Sequence, residues 1–412
     1  MPWLPSLALL ARMQISIVGA GVGGLGAAFA LARSGHSVRV LERTRALEEV
    51  GAGIQIGANG CRVMQHWGLL DKLMEKADAA SFGYLGNGLT AETLCRFPIS
   101  SFSQSRYQLP HLHVHRADLL GVLLDACRQL DNIEICTEST VFHIQQEKGK
   151  VYCRTEQGRT YESELLIGAD GMRSRVAELI FSRAPAKFAG KVAWRALIDT
   201  NEIKSSLNLA TPGIWMAPGK HLVHYPIRQG RLLNIVACAD SSERVLASWD
   251  NRCSTDQFLD TFGNFAENLR DIIAPLQESY IWGLYETEDH PWVQDRVLLL
   301  GDAAHAMLPS MAQGAVMALE DAAVLEQLLS SGQSLEWALG NYQRIRKGRT
   351  SAVQHTAREN IEIFHAPAGV MRSFRELGLS LLGNRAEDVI GRRYDWIYGA
   401  DPILEAANTA AA

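Results

Sequence analysis

A glycine-rich turn near residue 20 constrains the fold of this chain more than any other feature of its sequence. The glycines at the fixed positions of its G-x-G-x-x-G pattern are Gly19, Gly21 and Gly24. An apolar strand over residues 15–18 precedes the turn, and residues 25–33 follow it with apolar side chains at helical spacing. Residues 37–41 then form a second strand. This order predicts an α/β fold that begins with a β-α-β unit in a parallel sheet.

The same turn has the chemistry of a dinucleotide-binding site. Its second glycine lets the backbone approach a pyrophosphate, and the amides that start the helix face the negative phosphates. Glu42 ends the second strand, where a carboxylate can accept hydrogen bonds from both ribose hydroxyls. A plain strand-to-helix turn is the alternative, but the strand, the helix and the terminal acid together favour a nucleotide. On these residues alone the nucleotide could be NAD or FAD.

Composition argues against several other kinds of partner. With a formal net charge of −5, the chain lacks the basic balance of nucleic-acid-binding domains. Its seven cysteines are irregularly spaced, which favours reduced thiols in a cytoplasmic protein over disulfides or a metal site. No apolar run is long enough to span a bilayer, so we expect no membrane partner. Residues 1–12 lack the basic start of a signal peptide, and we expect Met13 to be the working start.

The hydrophobic pattern changes several times along the 412 residues, which are too many for one core. The pattern is loop- and strand-like over residues 81–108, and a strong helix pattern occupies 314–329. We therefore predict a discontinuous dinucleotide-binding domain, a β-rich substrate domain inserted into it twice, and a helical C-terminal region with a tail. The expected boundaries are 13–80, 107–182 and 290–365 for the first domain, 81–106 and 183–289 for the second, and 366–412 for the C-terminal region.

A DG motif follows the buried strand predicted over residues 164–168. It consists of Asp170 and Gly171, with Arg173 and Arg175 close behind. The two arginines could meet a pyrophosphate, since guanidinium groups bind phosphate oxygens well. A solvated pair on the surface is an equally good interpretation of these arginines.

A GD motif follows a second buried strand, predicted over residues 296–300. The carboxylate of Asp302, next to Gly301, can accept a hydrogen bond from a ribityl hydroxyl, although a helix-capping aspartate is the alternative. Gly314 and Ala315 begin the long helix that follows. The positive end of that helix would stabilise the anion that builds up at N1/O2 of a reduced flavin.

In the order of these motifs the chain resembles the single-component, class A flavoprotein aromatic hydroxylases, especially salicylate, 3-hydroxybenzoate and 6-hydroxynicotinate monooxygenases. The glycine turn, the DG motif and the GD motif follow one another in that family, and the resemblance runs from Met13 through nearly the whole chain. It implies a Rossmann-like FAD-binding domain, an inserted mixed β-sheet substrate domain and a helical C-terminal region. The cofactor-binding residues that it implies are Gly19, Gly21, Val22, Gly24, Glu42, Arg43, Gly53, Arg116, Val141, Asp170, Asp302, Pro309, Gly314 and Ala315.

The resemblance also points to a substrate pocket on an alternating strand. Residues 221–226 alternate so that His221, Val223 and Tyr225 share one face. In several hydroxylases of the family a histidine and a tyrosine four residues apart line the ring pocket, which implies this catalytic role for His221 and Tyr225. A histidine near neutral pKa can take the proton of a phenol, but a packed core strand is the alternative. Gln55 falls in the segment that lies over the flavin in the family, and the resemblance makes it the third predicted catalytic residue.

Three other features have structural interpretations. Arg195 could pair with a substrate carboxylate, but we expect it on the surface of a sheet. His111, His113 and His115 alternate, and because no carboxylate or cysteine joins them at ligand spacing, we predict a strand and no metal. The tail over residues 394–399 is similar to that of salicylate-hydroxylase-like proteins, and we expect its aromatic side chains to serve packing.

The activity that the resemblance implies is hydroxylation of a small phenolic or hydroxylated carboxylic acid with NAD(P)H and O2. NADH or NADPH would bind transiently and reduce FAD, and a C4a-hydroperoxyflavin would transfer oxygen to the ring. Two alternatives stay open, an oxygenase of the same fold acting on a larger polyketide, quinone or indole ring, and an FAD-dependent reductase without oxygenase chemistry. A pocket without an acid-binding arginine would favour the larger ring. The oligomeric state could be a monomer or a homodimer.

Overall fold

The computed structural model of the chain describes residues 12–47, 52–245, 252–277, 279–369, 378 and 391–412. The expectation of a start at Met13 concerns residues that lie almost wholly outside the described ones, as does part of the predicted C-terminal region.

The described residues form both strands and helices, including long runs of consecutive strands and a helical C-terminal part. The strands are β1 (Gln14–Val18), β2 (Ser37–Leu41), β3 (Gly53–Ile56), β4 (Phe82–Asn87), β5 (Thr93–Pro98), β6 (Leu112–His115), β7 (Ile133–Cys136), β8 (Val141–Glu147), β9 (Lys150–Thr155), β10 (Thr160–Ser163), β11 (Leu165–Gly168), β12 (Lys187–Asp199), β13 (Gly213–Ala217), β14 (Lys220–Ile227), β15 (Leu232–Asp240), β16 (Arg252–Cys253), β17 (Ser279–Glu286), β18 (Val293–Gln294) and β19 (Val297–Leu299). The helices are α1 (Val22–Arg33), α2 (Ala58–His66), α3 (Leu70–Met74), α4 (Ser100–Tyr107), α5 (Arg116–Arg128), α6 (Arg175–Phe181), α7 (Thr255–Phe262), α8 (Glu267–Ile273), α9 (Asp302–His305), α10 (Gly314–Leu329), α11 (Leu335–Phe364), α12 (Asp395–Tyr398) and α13 (Pro402–Ala411).

A parallel sheet forms the part of the molecule that contains the glycine turn. Its strand order is β18-β19-β11-β1-β2-β7, and all neighbouring pairs are parallel except β18 and β19. The central strand β1 is apolar, and its Ile15 and Ile17 are fully buried, as is usual for a parallel sheet with both faces covered. Helix α1 packs against this sheet and against α5 and α10. The predicted Rossmann-like α/β fold is confirmed.

A mixed sheet of eight strands forms the other part of the molecule. Its order is β16-β17-β12-β15-β14-β13-β4-β5, and its pairs are antiparallel except for β13 with β4. On one face, Trp194, Trp215 and Phe258 belong to an apolar cluster with α7 and α8. Side chains on the other face border a cavity that reaches the parallel sheet. The fold therefore places a β-rich wall opposite the glycine turn.

Parts of the β-rich region are helical where the sequence predicts strands and loops. Residues 81–108 do contain β4 and β5, but they also contain α4, and two further helices, α7 and α8, follow β16. Helix α4 is rich in serine and has weak apolar periodicity, so its sequence carries little helical signal. Helix α7 has a capping signal at Ser254, whose Oγ accepts a hydrogen bond from the backbone N–H of Gln257 at 3.2 Å.

Helix α10 has the bounds predicted from the sequence and lies at the centre of a buried ion cluster. Its Glu320 and Asp321 are fully buried, and each lies 2.7 Å from the guanidinium of Arg346 on α11. Arg349, one turn further along α11, also binds Glu320 and donates to backbone carbonyls of α12. These contacts tie three helices together beneath the GD motif. Among the described helices, none is both long and apolar enough to cross a bilayer.

Candidate active site

A cavity of about 970 Å³ reaches from the glycine turn to strand β14. Its volume is at the upper end of the range of roughly 300–1,000 Å³ that is common for ligand pockets. The site residues predicted from the sequence that line it are Gly19, Gly21, Val22, Glu42, Arg43, Gly53, Gln55, Arg116, Val141, Asp170, His221, Tyr225, Asp302, Pro309, Gly314 and Ala315. Gly24 is the one member of the predicted set that lies behind the wall. The fold therefore brings residues from distant parts of the chain to one cavity.

The space available for a side chain differs among the three glycines of the turn. Gly19 has a φ of 103°, and a Cβ there would lie 2.5 Å from the carbonyl oxygen of Ala169. A Cβ on Gly24 would lie 1.9 Å from the carbonyl oxygen of Gly19, inside the packed turn. A Cβ on Gly21 would meet no atom within 4 Å, because this glycine faces the cavity. The first and third glycines allow the turn to close, and Gly21 leaves its backbone open to a ligand.

The carboxylate of Glu42 is held against the glycine turn. Its Oε2 accepts a hydrogen bond from the backbone N–H of Ala20 at 2.8 Å. Arg43 and Arg116 also line the cavity, and Arg116 is the first residue of α5. Val141, which begins β8, is buried in the same wall. Backbone amides and guanidinium groups suit phosphate oxygens, whereas a carboxylate suits sugar hydroxyls.

The GD motif and the start of α10 lie together. One carboxylate oxygen of Asp302 is 3.8 Å from the position that a Cβ on Gly314 would occupy. Gly301 has a φ of 63°, and its N–H donates to Oδ2 of Asp321 at 3.0 Å, so the buried ion cluster holds this turn in place. The remaining predicted residues of this wall are Ala315 and Pro309, which begins a short 3₁₀ turn.

The DG motif shapes the wall next to the glycine turn. The carboxylate of Asp170 accepts hydrogen bonds from the backbone N–H of Arg175 at 2.7 Å and from Oγ of Ser174. Burial raises the pKa of Asp170, although these hydrogen bonds act in the opposite direction. Arg173 and Arg175 are exposed at the rim, and Arg175 forms an ion pair with Glu178 at 2.5 Å. The carboxylate therefore caps α6, and Arg175 belongs to a surface pair.

Strand β14 presents alternate side chains to the cavity. His221, Val223 and Tyr225 line it, whereas Leu222 packs in the apolar cluster on the opposite face. His224 also lies on that opposite face, where its ring stacks on Trp215 at a centroid distance of 6.3 Å. The alternation predicted from the sequence is present.

Of the three predicted catalytic residues, His221 and Tyr225 have shifted pKa values. Burial lowers the pKa of His221 well below its ordinary range, and the neighbouring His365 and Lys191 act in the same direction. Burial raises the pKa of Tyr225, and the positive charge of Arg195 opposes this rise. At neutral pH the site therefore contains an uncharged imidazole and a protonated phenol.

Gln55 lies beside His111 and His113, which were predicted from the sequence as strand residues without a role at the site. His111 Nε2 is 3.4 Å from Gln55 Oε1, and the rings of His113 and Tyr225 have a centroid distance of 4.7 Å. Burial lowers the pKa of His111 to about 4 and that of His113 well below its ordinary range. His115 instead caps α5 by accepting a backbone N–H. No group of three metal-ligating side chains occurs in the part of the chain that the structure describes.

Arg195 is half-buried and lines the cavity from one face of the eight-stranded sheet. The sequence predicted a position on the surface of a sheet, without indicating that this surface faces the cavity. The guanidinium of Arg195 is 4.7 Å from the ring centroid of Trp282, and strand pairing places Arg195 opposite Val236, which itself pairs with Val223. Its positive charge opposes the rise in the pKa of Tyr225 that burial causes. The alternation of β12 predicts two faces, but only its pairing with β15 identifies the one that faces the cavity.

The C-terminal tail also contributes to the wall. Tyr394 and Tyr398 line the cavity, and the ring of Tyr398 lies 5.9 Å from that of His111. The hydroxyl of Tyr394 donates to Oδ1 of Asn360 at 2.9 Å, which fixes the tail on α11. The sequence predicted a packing role for these aromatic residues, and it did not predict that two of them line the cavity.

Comparison with known proteins identifies the family. A family model for an FAD binding domain matches residues 12–357. The chain belongs to this FAD-binding family. Of its relatives, 3-hydroxybenzoate 6-hydroxylase of Polaromonas naphthalenivorans strain CJ2 is 32% identical over 392 residues, which are 94% of this chain and 96% of that protein. The 6-hydroxynicotinate 3-monooxygenase of Pseudomonas fluorescens is 29% identical over 357 residues, which are 84% and 91% of the two chains.

A solved structure shares the fold of this flavoprotein. A salicylate hydroxylase substrate complex superposes with a TM-score of 0.80 at 24% identity and covers 98% of both chains. The resemblance to class A flavoprotein aromatic hydroxylases that the motifs indicated is thereby confirmed, and so is FAD as the cofactor.

The residues of the cavity fit FAD. Gly21 leaves room for a pyrophosphate at the amides of the turn, and Glu42 offers a carboxylate beside them. Asp302 and the start of α10 lie at the GD motif, where a ribityl hydroxyl and an electron-rich ring edge would find an acceptor and a positive helix end. These are the donor and acceptor types that the two halves of FAD require.

Proposed function

We propose that the chain is an FAD-dependent monooxygenase that uses NAD(P)H and O2 to hydroxylate a small aromatic ring bearing both a hydroxyl and a carboxylate. The observation that carries this proposal is that a single cavity contains the glycine turn, the GD motif and the side chains His221, Tyr225 and Arg195. FAD bound in this cavity would supply the hydride acceptor and the activation of O2. The relatives that hydroxylate hydroxybenzoates support the choice of substrate class.

The residues at the GD motif hold and orient the cofactor in this proposal. Asp302 and the first residues of α10 line the cavity, and they would hold the ribityl chain and the ring of the cofactor. The positive end of this helix of 16 residues favours negative charge next to it. Because Asp321 accepts a hydrogen bond from the backbone N–H of Gly301, the turn that carries Asp302 is held in place before any ligand binds.

The end of the cavity that is lined by β14 provides a base, a hydrogen-bond donor and a cation for the substrate. His221 is uncharged and can accept the proton of a ring hydroxyl, which makes the ring electron-rich. Tyr225 keeps its proton and can donate a hydrogen bond to the substrate. Arg195 can balance the charge of a carboxylate, and Val223 and Val236 give the ring an apolar surface that excludes water.

Arg195 also favours the small acid over the larger ring among the alternatives. A polyketide or an indole without a carboxylate would not need a cation in the cavity wall, whereas the carboxylate of a hydroxybenzoate is stabilised by one. An oxygenase that attacks a phenol benefits from a base that removes the hydroxyl proton, and His221 can provide that base. A reductase without oxygenase chemistry does not need such a base. The histidine and the cation therefore both favour hydroxylation of an aromatic acid.

Oxygen uptake by the purified holoprotein tests the proposal. NADH and NADPH are each supplied together with salicylate, 3-hydroxybenzoate, 4-hydroxybenzoate, 6-hydroxynicotinate or an uncharged indole. We expect at least one hydroxylated acid to accelerate both NAD(P)H oxidation and O2 consumption, with a product heavier by one oxygen atom from isotope-labelled O2. NAD(P)H oxidation that depends on substrate but consumes no O2 would support the reductase instead. Turnover confined to the indole would support the larger ring.

A further inference from the structure

A hydrogen-bonded row of side chains runs from the cavity wall to the surface behind His221. Its Nδ1 lies 2.7 Å from Nε2 of His365, and Nδ1 of His365 lies 2.6 Å from Oδ1 of Asp240. His221 and His365 are 2% and 4% exposed, whereas the side chain of Asp240 is 50% exposed. The row therefore begins at the site and ends in solvent.

Backbone contacts hold the row in register. The N–H of Gly219, in the turn between β13 and β14, donates to the carbonyl oxygen of His365 at 3.0 Å, and the N–H of Asp240 donates to the carbonyl oxygen of Gly219 at 2.8 Å. The ring of Phe364 packs edge-on against that of His221 at a centroid distance of 5.1 Å. The end of α11, the end of β15 and the start of β14 thus fix the three side chains independently of any ligand.

Charged groups surround the outer end of the row more than its inner end. Lys191 on β12 lies 2.9 Å from Oδ1 of Asp240 and 2.9 Å from Oε1 of Glu362. Burial alone would raise the pKa of Asp240, but the hydrogen bonds from His365 and Lys191 outweigh it and lower that pKa. Cys238 on β15 pairs with His221 on β14, and burial raises the pKa of the Cys238 thiol to about 12. Asp240 is therefore a carboxylate at neutral pH, and the thiol keeps its proton.

The hydrogen bonds of the row impose one order of protons on two uncharged rings. A carboxylate can only accept, so Nδ1 of His365 donates to Asp240 and its Nε2 must then accept. Nδ1 of His221 supplies that proton, which leaves Nε2 of His221 as the bare nitrogen of the ring that lines the cavity. With the protons in this arrangement, Nε2 of His221 is free to accept a proton from a ligand in the cavity.

A proton that stayed on His221 would be poorly tolerated. Burial lowers the pKa of His221 well below its ordinary range, and burial also lowers that of His365, although Asp240 opposes this second shift. A base this weak does not retain a proton at neutral pH, so a proton that reaches His221 must be passed on. Transfer along the row lets the charge arrive next to the carboxylate, where it is stabilised, and then leave to water.

We infer that His221, His365 and Asp240 form a proton-transfer chain that carries the hydroxyl proton of the bound substrate to solvent. The O–H bond of the substrate breaks as Nε2 of His221 gains a proton, and Nδ1 of His221 passes its own proton to Nε2 of His365. Nδ1 of His365 then passes its proton to Asp240, which releases it to water. One proton leaves, the substrate becomes a phenolate, and no oxidant is needed. His365 and Asp240 are positioning residues in this scheme, which rests on the proposed function because it needs a substrate with an ionisable hydroxyl.

The test follows ionisation of a bound phenol without turnover. Holoprotein is mixed rapidly with salicylate, 3-hydroxybenzoate or 4-hydroxybenzoate in the absence of NAD(P)H, and the ultraviolet difference spectrum reports formation of the phenolate. We expect Asp240→Asn and His365→Gln to slow this phase by about tenfold or more while the dissociation constant of the probe stays unchanged. Added imidazole should restore the rate of His365→Ala. The matched control is His355→Gln, on the same helix, where an exposed histidine pairs with Glu359 at 3.3 Å.

The outcomes separate this inference from the proposed function. Slow ionisation in both variants, with bound FAD and thermal stability intact and the His355 control unchanged, supports the chain. Asp240 is half exposed, so Asp240→Asn keeps the test decisive if the buried His365 variants fail to fold. Ionisation at the wild-type rate in Asp240→Asn overturns the chain and leaves the hydroxylase proposal standing. If wild-type holoprotein binds none of the three isomers, the proposed function fails and the proton-transfer chain fails with it.

Discussion

The two ends of the cavity are built by different means. At the glycine turn the wall is mainly backbone from one short stretch of chain, and the absence of a Cβ at Gly19 and Gly24 allows it to close. At the β14 end the wall consists of side chains from strands that are distant in sequence, such as Arg195 on β12 and His221 on β14. Substitutions at the first end should therefore abolish cofactor binding, whereas those at the second end should leave the cofactor bound and change the chemistry.

The largest effect is expected for Gly19→Val at the turn. The new Cβ would lie 2.5 Å from the carbonyl oxygen of Ala169, the residue before the DG motif, at a φ of 103° that L-residues rarely adopt. We expect purified protein without bound FAD, or no folded protein, as judged by the visible absorbance spectrum and thermal unfolding. The control is Gly35→Ala, which has a similar φ of 96° but no atom within 4 Å of the added Cβ. That variant should lose roughly 1–2 kcal/mol of stability and keep its FAD. A yellow, fully loaded Gly19→Val protein would contradict this account of the turn.

The next largest effect is expected for Asp321→Asn, beneath the GD motif. Burial alone would raise the pKa of Asp321, but His305 and Arg346 outweigh it and lower that pKa to about 2. Removing the charge leaves Arg346 with one carboxylate fewer, and we expect the free energy of unfolding at neutral pH to fall by about 3–5 kcal/mol.

The pH dependence of the Asp321 effect follows from the sign of the shift. A carboxyl with a lowered pKa in the folded state stabilises the fold above its unfolded pKa of about 4 and loses that contribution as the pH falls towards 2. Urea unfolding of both proteins between pH 7 and pH 2 should therefore show a difference that shrinks only below about pH 4. A difference that is constant over this range would argue against the ion cluster.

At the substrate end, His221→Gln should lower the rate of hydroxylation on the order of 100-fold and leave bound FAD unchanged. Glutamine keeps a hydrogen-bonding side chain but cannot take the proton of a phenol. The matched control is His224→Leu on the opposite face of β14. Both ring nitrogens of His224 are buried, and neither has a hydrogen-bond partner among the described residues, so this variant should be as stable as the wild type or more stable, and equally active. Equal activity of His221→Gln and the wild type would remove the base from the mechanism.

The smallest effect is expected for Arg195→Gln. Loss of the cation should raise KM for 3-hydroxybenzoate by roughly tenfold, with a smaller change in kcat, because the carboxylate loses its partner. The uncharged 3-hydroxybenzyl alcohol is the matched probe, and its KM should not change. If both KM values rise together, Arg195 shapes the pocket and does not recognise the carboxylate.

The difference between the two ends also explains what the sequence could predict. The glycine turn, Asp302 and the start of α10 carry short local patterns whose geometry follows from the adjoining strand and helix. The alternation of β14 predicted which face His221 and Tyr225 share, but the positions of Arg195 and His113 depend on which strands pair. His365 and Asp240 had no local signal at all, because their contact with each other exists only in the folded chain.

The binding spectrum of the flavin tests most directly whether the two ends share one cavity. Titration of the oxidised holoprotein with 3-hydroxybenzoate should perturb the visible absorbance of FAD in a saturable manner, and Arg195→Gln should shift the titration to higher concentration. A protein that binds FAD, yet whose flavin spectrum responds to no hydroxybenzoate isomer, would contradict the account.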